Sequence, residues 1–257
     1  MIPNNIFQCH KSMKYVYQNP ILLKSINTWR YHSKIFNYYF YSDSMCNDYI
    51  KKNMDSRVYE AYQKCPIPVM KADLWRYCII YKEGGIYADS DTECLVNPFV
   101  FLNTNKELVF SLEGNYGLPH LFCQWFFAAP KHSPILKHII DNVVQKILTT
   151  NFNTILDEHF IHKITGPTIF TQSIESYFLK NNIPTFKNKN MYLLKPNIKT
   201  FIYNPDLFHT KLVKHIATGH LPNGWRNQKD NFLKTNLEKN VVKLNKRPPQ
   251  SVSNKQN

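Results

Sequence analysis

The stretch of residues 71–98 constrains the fold more than any other part of this chain. Apolar residues recur at helical spacing in its first half, and Gly84-Gly85 ends that helix, because glycine tolerates the left-handed conformation of a helix C-cap. A short strand, residues 86–88, follows at once. A helix that leads through a glycine turn into a short apolar strand is typical of domains in which helices and strands alternate.

Acidic residues follow that strand. Asp89 and Asp91 lie two positions apart, so in an extended chain their side chains point to the same side. Two adjacent carboxylates repel each other unless a cation lies between them, and a hard divalent ion is the expected one. We expect Glu93, the next acidic residue, to be solvated. A calcium loop is excluded, because its required glycine and glutamate positions hold Cys94 and Val100.

The string ADLWRYCIIYKEGGIYADSD, residues 72–91, resembles the signature of glycosyltransferase family 32, the DXD-containing sugar transferases. That family includes mannosyltransferases, alpha-galactosyltransferases and capsular-polysaccharide enzymes. A DXD triplet alone carries little information, whereas the whole string at this spacing is specific. Ala72 stands where the family usually has serine. The matching residues are Asp73, Arg76, Tyr77, Gly84, Gly85, Tyr87, Asp89 and Asp91.

Three more segments resemble the same family. Residues 2–9 match its first strand, whose end helps to hold the nucleotide base, although His10 is predicted to be a surface histidine. Trp29 matches a helix-ending tryptophan and is predicted to be buried. Residues 165–167, Thr-Gly-Pro, match a second motif before a helix. Near the end of the chain the family has a histidine that completes the metal and diphosphate site, and here His220 is favoured slightly over His215.

The resemblance implies a GT-A fold, in which a single Rossmann-like mixed β-sheet is flanked by helices. Residues 1–237 would form this domain, and residues 238–257 a basic, flexible tail. The strand–helix alternation along the chain independently predicts the α/β class.

The resemblance also implies a site. Asp91 would bind Mn²⁺ or Mg²⁺ directly, and Asp89 would bind through water or reach the ribose. Asp73 and Arg76 share one helix face and would hold the donor sugar; the alternative is a mutual ion pair, which at an exposed position is worth only about 0.3–0.5 kcal/mol. The implied catalytic residues are Asp91, Asp89, Arg76 and Gln124; the donor-binding residues are Asp73, Arg76, Asp89, Tyr87, Gln8 and Lys214; the metal ligands are Asp89, Asp91 and His220.

Composition narrows the partners. The net charge of +14 fits attraction to an anionic small molecule, an acidic membrane or nucleic acid, but the chain has no zinc-finger, basic-zipper or RNA-recognition pattern. The six cysteines form no C-x-x-C pair, so a structural zinc site has no support. Without a leader or a long apolar run, we expect a soluble, cytoplasmic protein, with peripheral contact to an acidic membrane left open.

The resemblance to glycosyltransferase family 32 implies a metal-dependent, retaining glycosyltransferase of the hexosyltransferase type. It would move a sugar from a UDP-sugar or GDP-sugar donor to a glycan, glycolipid or glycoprotein acceptor. Two alternatives stay open: a non-catalytic module that binds sugar nucleotides or glycans, and a metal-dependent nuclease or nucleotidyltransferase.

Overall fold

The structure is a computed structural model that describes residues 1–102, 108–113, 121–183, 185–188, 191–194, 200–203, 208–216 and 224–245. The helices are α1 (Met13–Tyr17), α2 (Pro20–Arg30), α3 (Asp43–Asn53), α4 (Ser56–Lys64), α5 (Pro68–Glu83), α6 (Pro134–Thr149), α7 (Phe160–Ile164), α8 (Pro167–Lys180) and α9 (Trp225–Asn245). The strands are β1 (Asn5–Cys9), β2 (Asn37–Tyr41), β3 (Gly85–Ala88), β4 (Thr92–Cys94), β5 (Leu108–Leu112), β6 (Phe122–Ala129), β7 (Thr185–Asn188), β8 (Met191–Leu194), β9 (Thr200–Tyr203) and β10 (Val213–His215).

Six strands form one mixed sheet in the order β2-β1-β3-β6-β5-β9. Strands β2, β1 and β3 are parallel to one another, β6 is antiparallel to both of its neighbours, and β5 is parallel to β9. Since β3 and β5 both run against β6, the carboxyl ends of β1, β3 and β5 lie at the same edge of the sheet. This arrangement confirms the predicted α/β class with a single mixed sheet.

Both faces of the sheet are covered. Successive residues of the central strands pack into two different hydrophobic clusters, as Ile86 and Tyr87 of β3 do. One cluster includes residues of helices α3 to α8, and the other includes Trp29 of α2, which is fully buried as predicted. Because both faces of the sheet are covered, polar functional side chains are expected at the ends of the strands.

Helix α5 is buried nearly all round. The apolar stripe of Leu74 and Cys78 packs into the core, but Asp73 and Arg76 on the other face are also buried, with 1% and 4% of their surface exposed. Asp73 and Arg76 do form the mutual ion pair, with 3.1 Å between Asp73 Oδ1 and Arg76 Nη2, but the pair is buried and not exposed, because this helix has no solvated side at that level.

Two glycines join α5 to β3. Gly84 has a φ of +63° and Gly85 a φ of +118°. A Cβ on Gly85 would lie 2.5 Å from the carbonyl oxygen of Asn5, at the start of β1. The double glycine therefore turns the chain and also lets β1 approach β3 closely.

A small two-stranded ribbon lies beside the main sheet. Strand β10 pairs antiparallel with β4, so that His215 lies opposite Thr92 and Lys214 opposite Glu93. The ribbon brings the C-terminal part of the chain back to the residues that directly follow β3.

Helix α9 runs through residue 238, where the sequence suggested that a flexible tail begins. The segment up to Asn245 contains no proline or glycine, so nothing in it ends the helix before that residue. Residues 246–257 lie outside the described residues. Nowhere in the part of the chain that the structure describes is a helix both long enough and apolar enough to cross a membrane.

Replacing Gly85 by alanine should destabilise the protein by at least about 1–3 kcal/mol, the usual cost of a side chain in a sparsely populated backbone region. The close Asn5 oxygen adds to this cost. Urea unfolding would measure it, with Glu60→Ala, an exposed change within α4, as a control expected within about 0.5 kcal/mol of wild type. Equal stability of the two variants would contradict the role given to Gly85.

Candidate functional site

The two aspartates after β3 lie in a tight turn. The backbone N–H of Thr92 donates to the Asp89 carbonyl over 3.1 Å, and the Thr92 hydroxyl donates to the same oxygen over 2.6 Å. The indole N–H of Trp29 bonds the Thr92 carbonyl at 3.0 Å and so fixes the turn from below. The aspartates converge as expected, but a turn brings them together rather than the alternation of an extended chain.

A histidine completes this acidic turn. One ligand atom each from Asp89, Asp91 and His215 lies within 4.8 Å of the other two, and His215 Nε2 is 3.4 Å from Asp91 Oδ1. Pairing of β10 with β4 positions His215, and the Trp125 ring stacks on its imidazole with centroids 4.7 Å apart. The favoured alternative from the sequence, His220, lies outside the described residues. We call Asp89, Asp91 and His215 the acidic trio.

The acidic trio fits a divalent cation. Two carboxylates are ligands that suit Mn²⁺ or Mg²⁺, and a neutral imidazole adds a nitrogen ligand. Burial raises the pKa of Asp89, and so does the neighbouring Asp91 charge, while Arg76 opposes the rise. Burial lowers the pKa of His215, but the bond to Asp91 together with the charges of Asp91, Asp89 and Glu113 outweighs this and leaves that pKa raised. The two carboxylates therefore favour positive charge beside them, whether it comes from Arg76, from a protonated His215 or from a bound divalent cation.

Arg76 links the motif helix to the acidic turn. Its Nη2 lies 3.1 Å from Asp73 Oδ1 and 3.2 Å from Asp89 Oδ1, and its Nη1 donates to the Gln124 carbonyl over 3.2 Å. The guanidinium carbon sits 4.7 Å from the centroid of the Tyr87 ring. Burial lowers the pKa of Arg76, but Asp89, Tyr87 and Asp73 more than reverse this effect, so the side chain stays charged.

The Asp73 carboxylate is fully engaged within the protein. Besides Arg76, its Oδ1 accepts from Gln124 Nε2 at 3.2 Å and its Oδ2 accepts from the Thr165 hydroxyl at 2.7 Å. The Tyr77 hydroxyl lies between Gln124 Oε1 and the Thr165 carbonyl and bonds both groups. Asp73 and Gln124, predicted to contact the sugar, are therefore first of all supports of Arg76, although both reach the cavity wall.

Gln8 differs from its predicted role. Its side chain is completely buried, donates to the Asp89 carbonyl over 3.1 Å and accepts from the Tyr38 hydroxyl at 2.9 Å. Both ends of the amide are used, so Gln8 holds the backbone of the acidic turn instead of contacting a donor. Tyr87, which was also predicted to bind the donor, donates its hydroxyl hydrogen to Asp89 Oδ1.

His10 is not a surface histidine. Its ring stacks on Tyr15 with centroids 4.9 Å apart, and its Nδ1 is buried without a hydrogen-bond partner among the described residues. Burial lowers its pKa to about 4, with Asp91 opposing and Lys11 adding to the effect. A neutral imidazole stacked on a phenol makes a flat, uncharged surface at the end of β1.

These groups share one cavity of about 770 Å³. It is lined by His10 and Tyr15, by the acidic trio and by the first residues of α8 and α9. Sequence reasoning missed two acidic lining residues, Asp43 and Glu113, and Glu113 directly follows β5 just as Asp89 follows β3. Its position after a long apolar strand was the available signal, because ligands in α/β sheets gather at the carboxyl ends of strands.

Comparison with known proteins agrees with this geometry. Residues 21–109 match the family described as "Glycosyltransferase sugar-binding region containing DXD motif", and these residues include the acidic turn and α5. The predicted resemblance to DXD-containing sugar transferases is confirmed over this region.

Named relatives point the same way. The chain is 30% identical over 138 residues to an initiation-specific alpha-1,6-mannosyltransferase of Schizosaccharomyces pombe. The matched region is 48% of this chain and 35% of the relative. The chain is 28% identical over 201 residues to the Candida albicans protein of the same name, covering 66% and 52%. An uncharacterized glycosyltransferase of Acanthamoeba polyphaga mimivirus is 31% identical over 147 residues, covering 56% and 53%. The chain thus spans about half, or less, of the relatives it matches.

The chain also has a distant similarity to two solved structures. One is described as "PaToxG Glycosyltransferase", with a TM-score of 0.47 at 17% identity, covering 70% of this chain and 72% of that one. The other, a glycosyltransferase involved in glycosylation of the major capsid of PBCV-1, has a TM-score of 0.39 at 12% identity, covering 90% and 98%. Likeness at this level says nothing about substrate.

Replacing Thr165 by valine should cost about 1.5–3 kcal/mol of stability, because it removes a hydrogen bond to a buried charged carboxylate. Thr149→Val is the matched control, since that hydroxyl is exposed and bonds only its own helix. Urea unfolding compares the two, and a loss no larger at Thr165 than at Thr149 would contradict the network described here.

Proposed function

We propose that this chain, whose residues 21–109 carry the DXD-containing sugar-binding region of glycosyltransferases, is a metal-dependent glycosyltransferase. The observation that supports this most is the acidic trio, which opens into a cavity beside a buried arginine that fixes one of its carboxylates. The enzyme transfers a sugar from a nucleoside diphosphate sugar to a hydroxyl group of a glycan, glycolipid or glycoprotein.

Asp89, Asp91 and His215 would hold the divalent ion. A bound Mn²⁺ or Mg²⁺ offsets the negative charge that develops on the leaving diphosphate, which is worth several kcal/mol of the barrier. Lys214 is the next residue to His215, is exposed, and lies on the cavity wall. The ammonium group of Lys214 would bind a phosphate oxygen of the donor beside the acidic trio.

Arg76 keeps Asp89 in place. Its guanidinium bonds Asp89 and Asp73 at once, so neither the helix nor the acidic turn can shift without breaking a buried contact between charges. Preorganised charges of this kind contribute to catalysis because they need not rearrange during the reaction. We infer that Arg76 positions the metal ligand and presents its own positive charge to the donor across the cavity wall.

The end of β1 would take the nucleotide base. His10 and Tyr15 form a stacked, uncharged pair there, with the Lys11 ammonium 4.6 Å from the Tyr15 ring centroid. Flat aromatic surfaces bind nucleobases by stacking, with little preference between uracil and guanine. Stacking alone does not select the base; the resemblance to DXD-containing sugar transferases implies a UDP-sugar or a GDP-sugar, and the names of the yeast relatives favour a mannosyl group.

The simplest test is a thermal-shift screen with UDP-sugars and GDP-sugars, GDP-mannose among them, with and without Mn²⁺. An enzyme of this class is stabilised by one donor only when the metal is present, and then hydrolyses or transfers it. Stabilisation without any turnover would favour the non-catalytic module. Turnover of DNA or RNA insensitive to sugar nucleotides would favour the nuclease.

Replacing Asp91 by alanine should abolish metal-dependent donor binding and transfer. Loss of an outer hydrogen-bond partner of a metal ligand already costs about 10–100-fold in affinity or activity, and loss of a ligand should cost at least as much. Glu93→Gln is the matched control, since Glu93 pairs with Lys24 at 2.9 Å and is not part of the acidic trio. Calorimetry with Mn²⁺ and donor measures binding, and wild-type turnover by the Asp91 variant would defeat the proposal.

Replacing Lys214 by methionine should weaken donor binding, because one positive charge next to the diphosphate is removed. A hydrogen bond to a charged group is worth about 1.5–3 kcal/mol, which corresponds to about 10- to 100-fold in the dissociation constant. Lys211→Met is the matched control, since Lys211 is exposed and absent from the cavity wall. An equal change in donor affinity for both variants would indicate only a loss of net charge.

A further inference from the structure

We propose that Glu113 binds the acceptor: its carboxyl group holds the hydroxyl that receives the sugar, on the side of the acidic trio away from the nucleotide. This inference rests on the proposed function and adds to it the residue and the place for the second substrate. It follows from the order of the strands, the surroundings of the carboxyl group and the chemistry of carbohydrates.

The strand order places Glu113. The end of β1 carries the stacked pair proposed for the base, and the end of β3 carries the acidic trio. Strand β6 comes next in the sheet, and β5, which Glu113 follows, lies beyond it. A donor that extends from base to diphosphate along this edge of the sheet therefore points its sugar towards β6 and β5. The acceptor must approach the sugar from that far side.

The carboxyl group of Glu113 is close to the trio but not part of it. Charges on His215 and Asp89 both affect the pKa of Glu113, so all three groups lie in one electrostatic neighbourhood. Yet Glu113 belongs neither to the group of potential metal ligands nor to any ion pair within 4.0 Å in the described part of the chain. Glu113 therefore lies near the proposed metal site, and its carboxyl group has a role other than metal binding.

Within the described part of the chain, the side chain of Glu113 has no hydrogen-bond partner. The backbone N–H of Glu113 bonds the Leu121 carbonyl at 2.8 Å, but no described residue donates a hydrogen bond to its carboxyl group. Burial raises the pKa of Glu113 to about 7, with His215 opposing and Asp89 adding to the rise. A half-buried carboxyl group on the cavity wall with no partner among these residues is available to a ligand.

Three of the other four carboxylates of the cavity wall are already used, and the fourth, Asp43, begins the helix after β2, on the far side of β1 from β5. Asp73 is bonded by Arg76, Gln124 and Thr165, and Asp89 and Asp91 form the acidic trio. Near neutral pH the Glu113 carboxyl group accepts a hydrogen bond from a hydroxyl group when ionised and donates one when protonated, which suits a sugar.

The test uses the full chain, Mn²⁺ and the donor that the wild type hydrolyses, with methyl glycosides of mannose, galactose and glucose and with mannobiose as acceptor probes. For the best probe, Glu113→Ala should raise the acceptor KM by about 10- to 100-fold, the effect of a lost hydrogen bond to a charged group. Donor affinity by calorimetry and donor hydrolysis without acceptor should stay within about twofold of wild type. Glu113→Gln, which keeps the shape and one acceptor oxygen, should fall between them.

Several outcomes would overturn the inference. An unchanged acceptor KM in Glu113→Ala would do so, as would a loss of donor binding as large as the loss of transfer, or a wild type whose donor hydrolysis no probe affects. Glu93→Gln is the control for removing a nearby negative charge, and should match wild type in every assay. A wild type that binds no nucleotide sugar would instead overturn the proposed function itself, and the inference with it.

Discussion

The contact on which the site depends is the placement of Arg76 between two carboxylates. Asp73 and Asp89 come from different elements, a helix and a turn, and the guanidinium bonds both within 3.2 Å. Buried charges are costly to remove from water, and the cost is offset only when each charge is paired and hydrogen-bonded. Here Gln124, Thr165 and Tyr87 supply further bonds to the two carboxylates, whereas Arg76 Nε is buried without a partner among the described residues. Rigidity of the acidic turn follows from the burial of its supports.

The same network explains why the motif residues stand where they do. Asp73 and Arg76 lie on one side of α5, the double glycine turns the chain at the end of that helix, and Asp89 returns to the guanidinium after a strand of four residues. Any change in these spacings would move the carboxylate away from the arginine. The spacing between the motif residues therefore matters as much as their identity.

Much of the fold could be predicted from local pattern alone. The first strand expected within residues 2–9, the helix that Gly84-Gly85 ends, the short strand after it and the helix after residues 165–167 agree with β1, α5, β3 and α8 to within a few residues. The convergence of Asp89 and Asp91 could also be predicted, although the turn that causes it could not. The role of Gln8 was misassigned because sequence shows that a strand residue is polar, but not that it bonds Tyr38 and the Asp89 backbone.

What local pattern could not supply was long-range pairing. The choice between His215 and His220 depends on the register of β10 against β4, two segments far apart in sequence. Glu113 went unnoticed for the same reason, since its neighbours in space come from β3 and β10 and not from its own strand.

The ribbon of β4 and β10 has a consequence for how this protein comes into being. Both aspartates precede β4 in the chain, but the histidine belongs to β10, which is synthesised after strands β5 to β9. A nascent chain that has folded only its first half would present two acidic groups with no third ligand. The ability to bind a metal ion through all three ligands would then appear only after β10 has paired with β4.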